Sequence, residues 1–231
     1  GRFLVLRNIQ GRTGDDFIAL NGDEETNGGP SWVHPCATVG PITDVLIDGV
    51  MVDDAAQVVR ILSRENLHDR ITIRNISGHY RSFGFYLSAW DYKRRGLQGN
   101  FGSILFENID LRQTKPDYTY PEPFLFRISG RHRSLILRNI QYHDPADDRY
   151  LVHLEGKTDI PDMGDTPADV ESLVIDGLHL QDHGDAPQTR PYIRVSGHVR
   201  HLVVKNSEIF SAKPKQAVFL ATEGEHARID H

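Results

Sequence analysis

Apolar and polar positions recur along the chain as a short frame, apolar–x–apolar–polar–(Asn or Gly)–x. Seven segments carry it: Leu4-Val5-Leu6-Arg7-Asn8-Ile9, Val45-Leu46-Ile47-Asp48-Gly49-Val50, Ile71-Thr72-Ile73-Arg74-Asn75-Ile76, Ile104-Leu105-Phe106-Glu107-Asn108-Ile109, Leu135-Ile136-Leu137-Arg138-Asn139-Ile140, Leu173-Val174-Ile175-Asp176-Gly177-Leu178 and Leu202-Val203-Val204-Lys205-Asn206-Ser207. The Asn/Gly position falls at 8, 49, 75, 108, 139, 177 and 206, in steps of 26 to 41 residues. A second strand-like segment follows each frame: Phe17–Leu20, Val58–Leu62, Phe83–Ala89, Phe124–Ser129, Tyr150–Glu155, Tyr192–Ser196 and Ala217–Ala221.

Short β-branched segments with no 3.6-residue period between them predict an all-β chain. Their self-similarity predicts a right-handed parallel β-helix, a solenoid of about seven rungs. Asn and Gly suit the bend after the first strand because both tolerate left-handed backbone angles, and Asn can stack in a hydrogen-bonded ladder. A β-sandwich is the alternative, but the turn dipeptides of its hairpins are mostly missing.

The register assigns residues 22–41, 90–100 and 113–123 to long loops, and 159–169 and 181–191 to polar turns. No linker or low-complexity tract divides the chain, which reads as one domain, 1–231. Neither end resembles a capping helix. The expectation is therefore a domain lacking an N-terminal portion, in contact with the rest of a longer β-helix or with further copies of itself.

Composition narrows the partners. At 231 residues and 39 % hydrophobic content the chain is long enough for a sizeable core. A formal charge of −6 with scattered Lys and Arg argues against nucleic acid. No apolar run approaches the roughly 20 residues that cross a bilayer. The single cysteine, Cys36, excludes an intrachain disulfide.

Alternation fixes an outward column in the second strands. With Val59 and Ile61 pointing in, Arg60 points out, and Ala19, Tyr86, Arg127, His153, Arg194 and Phe219 take the same position in the other repeats. Arginine clamps acid groups and an aromatic ring packs on a sugar face, so the column suits an elongated hydroxyl- or carboxylate-bearing ligand. His79, Trp90 and Asp91 flank one of these strands and extend the expected sugar-binding wall around Arg60, Tyr86 and Arg127. The alternative for all of them is ordinary solvated or loop packing.

Gly14-Asp15-Asp16-Phe17-Ile18-Ala19-Leu20 places two adjacent carboxylates before a second strand. Neighbouring carboxylates repel, which separates a protonated acid from an ionised base, the division of labour that glycoside hydrolysis needs. Asp-Asp also occurs at 53–54 and 147–148, so the pair is equally acceptable as turn chemistry. The twelve histidines show no recurring metal-ligand spacing, and Asp159, Asp162 and Asp165 lack the glycine of a calcium loop. No metal site and no cofactor are expected.

The segment 14–20 resembles the Gly-Asp-Asp-x-Ile-Ala-Ile signature of the polygalacturonase family, glycoside hydrolase family 28. Val59-Arg60-Ile61-Leu62 is similar to that family's Val-Arg-Ile-Lys strand, and Gly78-His79 to its Gly-His-Gly. The resemblance implies a secreted or periplasmic inverting glycosidase that degrades a polysaccharide or oligosaccharide without a metal. Asp15 is then the general acid, Asp16 helps activate the attacking water, and Arg60 contacts the sugar beside the cleaved bond. The family's third aspartate has no counterpart in this sequence, Leu62 stands in place of the lysine, and Tyr80 in place of the last glycine. Two other classes stay open: a non-catalytic carbohydrate-binding or structural β-helix of tail-spike or adhesin type, and a β-helical polysaccharide lyase or epimerase using Arg60 and Tyr86.

Overall fold

A computed structural model describes residues 1–23, 39–89, 98–114, 124–143, 150–156, 166–183, 190–211 and 219–221. Among these residues thirteen strands form one sheet: β1 (Arg2–Gly11), β2 (Asp16–Asn21), β3 (Ile42–Leu62), β4 (His68–Ser88), β5 (Phe101–Gln113), β6 (Phe124–Ile128), β7 (Arg131–His143), β8 (Tyr150–Leu154), β9 (Asp169–Asp182), β10 (Ile193–Val195), β11 (His198–Lys205), β12 (Glu208–Ser211) and β13 (Phe219–Ala221). Every pairing described is parallel. The sheet wraps nearly closed around an axis, a β-helix-like arrangement without helices among the described residues.

Two stacks build it. β1, β3, β4, β5, β7, β9 and β11 pair in that order through the first segments of the repeats. β2, the ends of β3 and β4, then β6, β8, β10 and β13 pair through the second segments. In β3 and β4 both segments belong to one 21-residue strand, bent where the register shifts between Asp53, Ala55 and Gln57. Such an irregularity turns a strand without breaking its pairing.

The apolar positions of the frame stack in register. Val45, Ile71, Ile104, Leu135, Leu173 and Leu202 form one buried column, and Val59, Phe85, Phe126, Val152 and Ile193 another. Phe85 stacks on Phe126 at 4.7 Å and meets Phe106 edge-on at 4.8 Å, so the two stacks close on a shared core. Each such side chain contributes about 1.5–3 kcal/mol by leaving water.

All seven Asn/Gly positions of the frame adopt positive φ: 54° at Asn8, 75° at Gly49, 56° at Asn75, 55° at Asn108, 50° at Asn139, 80° at Gly177 and 51° at Asn206. Asn and Gly are the residues that tolerate this region. The expected ladder is present: Asn108 Nδ2 donates to Asn75 Oδ1 at 3.1 Å, and Asn139 Nδ2 to Asn108 Oδ1 at 2.8 Å.

A third corner returns each repeat to the next. Its buried column holds His68, Phe101 and His132, with Phe101 and His132 stacked at 4.3 Å. Beside it Asp69 accepts the Ser103 N–H at 2.7 Å and pairs with Arg133 at 2.9 Å and Arg70 at 2.7 Å.

Candidate active site

β1 ends at Gly11 and β2 begins at Asp16, so the first Asp-Asp pair straddles a strand start. Asp15 lies outside the strand and is exposed, with its N–H donating to Thr13 Oγ1 at 3.2 Å. Asp16 is inside the strand, in register with Gln57, and its carboxylate is only 8 % exposed. Two adjacent carboxylates therefore occupy different environments.

Arg60 accounts for the second of these. It lies in register with Ala19, three residues beyond Gln57, and its Nε approaches Asp16 Oδ2 to 2.8 Å. The Nε–H is not aligned along that contact, so the interaction is an ion pair rather than a directed hydrogen bond. The two residues that the sequence singles out from separate repeats are thus brought together. Gln57, which the sequence reading missed, is 5 % exposed beside Asp16, and its Oε1 has no hydrogen-bond partner among the described residues. Only its register with Asp16 could have flagged it.

The second Asp-Asp turn is occupied differently. Asp54, at φ 66°, pairs with Arg12 at 2.6 Å and with Arg81 at 3.4 Å, while Arg81 Nη2 donates to Thr13 O at 3.1 Å. Asp54 thereby ties the turn that presents Asp15 to the neighbouring repeats. The pair at 147–148 lies outside the described residues.

The outward column runs Ala19, Arg60, Tyr86, Arg127, His153, Arg194 and Leu220. Leu220 rather than Phe219 holds its last register position, opposite Arg194, and Phe219 is in register with Ile193. Exposure falls as far as His153: Ala19 is open and Arg60 partly so, but Tyr86 is 3 %, Arg127 1 % and His153 0 % exposed, and Arg194 is again partly exposed. Tyr86 and Arg127, expected on an open sugar-binding wall, are instead packed. The Arg127 guanidinium lies 4.9 Å over the Tyr86 ring and 5.4 Å over Phe124, and it pairs with the buried Glu155. A separate apolar cluster of Phe83, Phe124 and Tyr150 runs alongside, with Phe83 and Phe124 stacked at 4.2 Å. Arg194 continues it, donating to the Tyr150 hydroxyl at 2.7 Å and to Ser196 Oγ at 2.8 Å. Cation–π contact and a desolvated ion pair are what make a buried arginine tolerable.

His79 is exposed but lies before the bend, in register with Asp53 and Arg112, and is not a member of the column. Trp90 and Asp91 lie outside the described residues, as do Cys36 and the acidic turn at 159–165. Among the described residues, no group of three or more His, Cys, Asp or Glu is placed to hold a metal ion, and no helix is long and apolar enough to cross a membrane.

The arrangement offers one exposed carboxylate beside one held by a guanidinium, on a face that is packed from Tyr86 to His153. Comparison with family models, with curated proteins and with solved structures gives no match.

Proposed function

We propose that the chain is a right-handed parallel β-helix of about seven rungs acting as an inverting glycoside hydrolase on a polysaccharide or oligosaccharide, in a secreted or periplasmic setting. The observation that carries the reading is the ion pair between Asp16 and Arg60 at 2.8 Å next to an exposed Asp15. The Arg60 guanidinium holds the Asp16 carboxylate in place beside Asp15. Asp15, in solvent and one residue away, is free to approach a leaving glycosidic oxygen as the acid. Asp16 helps activate the attacking water, and Arg60 both holds Asp16 and faces the sugar in the adjoining subsite. Substrate contacts concentrate at Asp15, Asp16 and Arg60, with exposed His79 as an outlying contact.

The test is to incubate the protein with a panel of neutral and acidic polysaccharides. Newly formed reducing ends are read first, and the anomer released is then read by NMR. Turnover with inverted configuration supports the reading. Retention contradicts it, because one water must enter between the two carboxyls of an inverting site.

A second reading is favoured by one observation. The burial of Tyr86, Arg127 and His153, with Arg127 paired to Glu155, is the packing of a structural rib. A non-catalytic β-helix, in which Asp16–Arg60 is one more inter-strand tie, predicts no turnover of any polymer. The lyase or epimerase alternative loses support, since Tyr86 is buried under a guanidinium and Arg60 is engaged by Asp16.

A further inference from the structure

A groove of about 300 Å³ lies on β7, β9 and β12, lined by Gln141, His143, His179, Gln181, Glu208 and Phe210, with the buried Leu180 also among its lining residues. It belongs to the first-segment stack, four parallel strand spacings along the axis from β1, or roughly 20 Å from the level of Asp15. The proposed hydrolytic site does not use it.

Register explains its composition. Gln141, His179 and Glu208 are stacked in one column, and His143, Gln181 and Phe210 in the next but one. The strands are about 4.8 Å apart, so the two columns give polar groups at regular intervals along one side and an aromatic ring at the end of the other. Phe210 is 51 % exposed, and the His183 ring contacts it at 5.1 Å. His143 is held by Asp110, with Nε2 and Oδ1 3.2 Å apart.

The chemistry of the lining selects a ligand class. It holds three carboxamides, Asn139 with the two glutamines, and two imidazoles, which donate and accept hydrogen bonds, and one open aromatic face. Among the described residues its lining has one carboxylate, Glu208, and neither Lys nor Arg. Among these described residues phosphates and uronates find no fixed cation, whereas a neutral polyhydroxylated ring finds hydrogen-bonding partners and an apolar face to cover. The volume matches the lower end of small-ligand sites. We propose that this groove binds one or two residues of a neutral saccharide, as an ancillary site separate from Asp15.

The test is an NMR titration of the intact protein with cellobiose, maltose and lactose, following the backbone amides of residues 141, 181 and 210. The expected result is saturable binding of at least one disaccharide, with Kd on the order of 1 mM. Phe210→Ala weakens it by about tenfold or more and leaves the melting temperature in place, because the ring is half exposed. Gln181→Ala provides a second variant should Phe210→Ala prove unstable, and it too weakens binding. Asp15→Asn leaves the titration unchanged, which separates this site from the proposed hydrolytic one. The proposal is overturned if none of the three sugars saturates, if digalacturonate alone binds, if neither groove variant alters binding, or if Asp15→Asn abolishes it.

Discussion

Asn75 Nδ2 donates to Asp48 Oδ1 at 2.7 Å, across the parallel pairing of β3 with β4. The frame of that repeat reads Asp-Gly where its neighbour reads Arg-Asn, so the asparagine ladder has no side chain at Gly49 to continue through. The preceding aspartate takes over the acceptor role. The same exchange occurs at Asp176-Gly177, where Asn206 Nδ2 donates to Asp176 Oδ1 at 2.8 Å. The aspartates are also rungs of a second ladder. Arg7, Asp48, Arg74, Glu107, Arg138, Asp176 and Lys205 are in register and alternate in sign throughout. Arg74 reaches Asp48 at 2.9 Å, Arg138 reaches Glu107 at 3.2 Å and Lys205 reaches Asp176 at 3.5 Å. The bond from Arg74, and then that from Asn75, holds the Asp48 carboxyl below its usual range, and the bond from Asn206 does the same for Asp176.

Asn108 combines positive φ with ladder bonds to both neighbours. Asn108→Ala is expected to destabilise the protein by about 1–3 kcal/mol, from backbone strain and two lost bonds. Asn108→Gly relieves the strain but not the bonds, and falls between. Urea unfolding of both variants checks this; equal stability of Asn108→Gly and the parent protein would show that the side-chain ladder contributes nothing.

Glu107 separates Arg74 from Arg138 in the charged column. Glu107→Lys places three cations on adjacent strands and is expected to cost about 1–2 kcal/mol at low salt. Adding salt to about 1 M, where the screening length falls to roughly 3 Å, recovers most of that loss. A penalty insensitive to salt would point to packing instead.

The bends were legible because a left-handed backbone position restricts residue choice so strongly that Asn or Gly marks it in every repeat. The column position of Arg60 followed from alternation alone, since the inward places of Val59 and Ile61 fix it. Burial of Tyr86 and Arg127 was not legible, because alternation reports which side of the sheet a residue takes, not whether that side is covered. Phe83, Phe124 and Tyr150 form a second apolar cluster against Tyr86 and Arg127, although each lies two residues before an inward position, where a period of two puts it on the core side. The sign alternation lay in the polar position of the same seven frames, and became visible only once the register set those positions side by side.

His132 is buried, with one ring nitrogen 2.9 Å from Ser129 O, and burial lowers its pKa from 6.5 to about 4. Phe101 faces one side of the ring, and Asp169 exerts a weaker, opposing pull. The unfolded chain therefore takes up this proton first on acidification. The stability involved is fully present above pH 6.5 and is lost as the pH falls towards 4, by about 3 kcal/mol. Unfolding free energies at several pH values are expected to show a shallower slope in His132→Phe across this window. An unchanged slope would assign the acid sensitivity to other groups, among them His68, whose pKa burial also lowers.

Gly102 lies against Asp69, and a Cβ there would overlap the carboxylate that accepts the Ser103 N–H. Gly102→Ala must displace Asp69 from its bonds to Ser103, Arg133 and Arg70, and is expected to cost about 2–4 kcal/mol. Gly14→Ala, with nothing within 4 Å of its Cβ, serves as the control and should lie within about 0.5 kcal/mol of the parent. Comparable losses in both would remove the steric argument.

Asp15, exposed beside the Asp16–Arg60 pair, is the proposed acid. The most direct measurement is release of reducing ends from a polysaccharide that the parent protein cleaves, repeated with Asp15→Asn alongside thermal unfolding. Asp15→Asn is expected to abolish release while the melting temperature stays in place, and Asp16→Asn to lose both activity and some stability. Full activity in Asp15→Asn, or no cleavage of any polymer by the parent protein, would contradict that role.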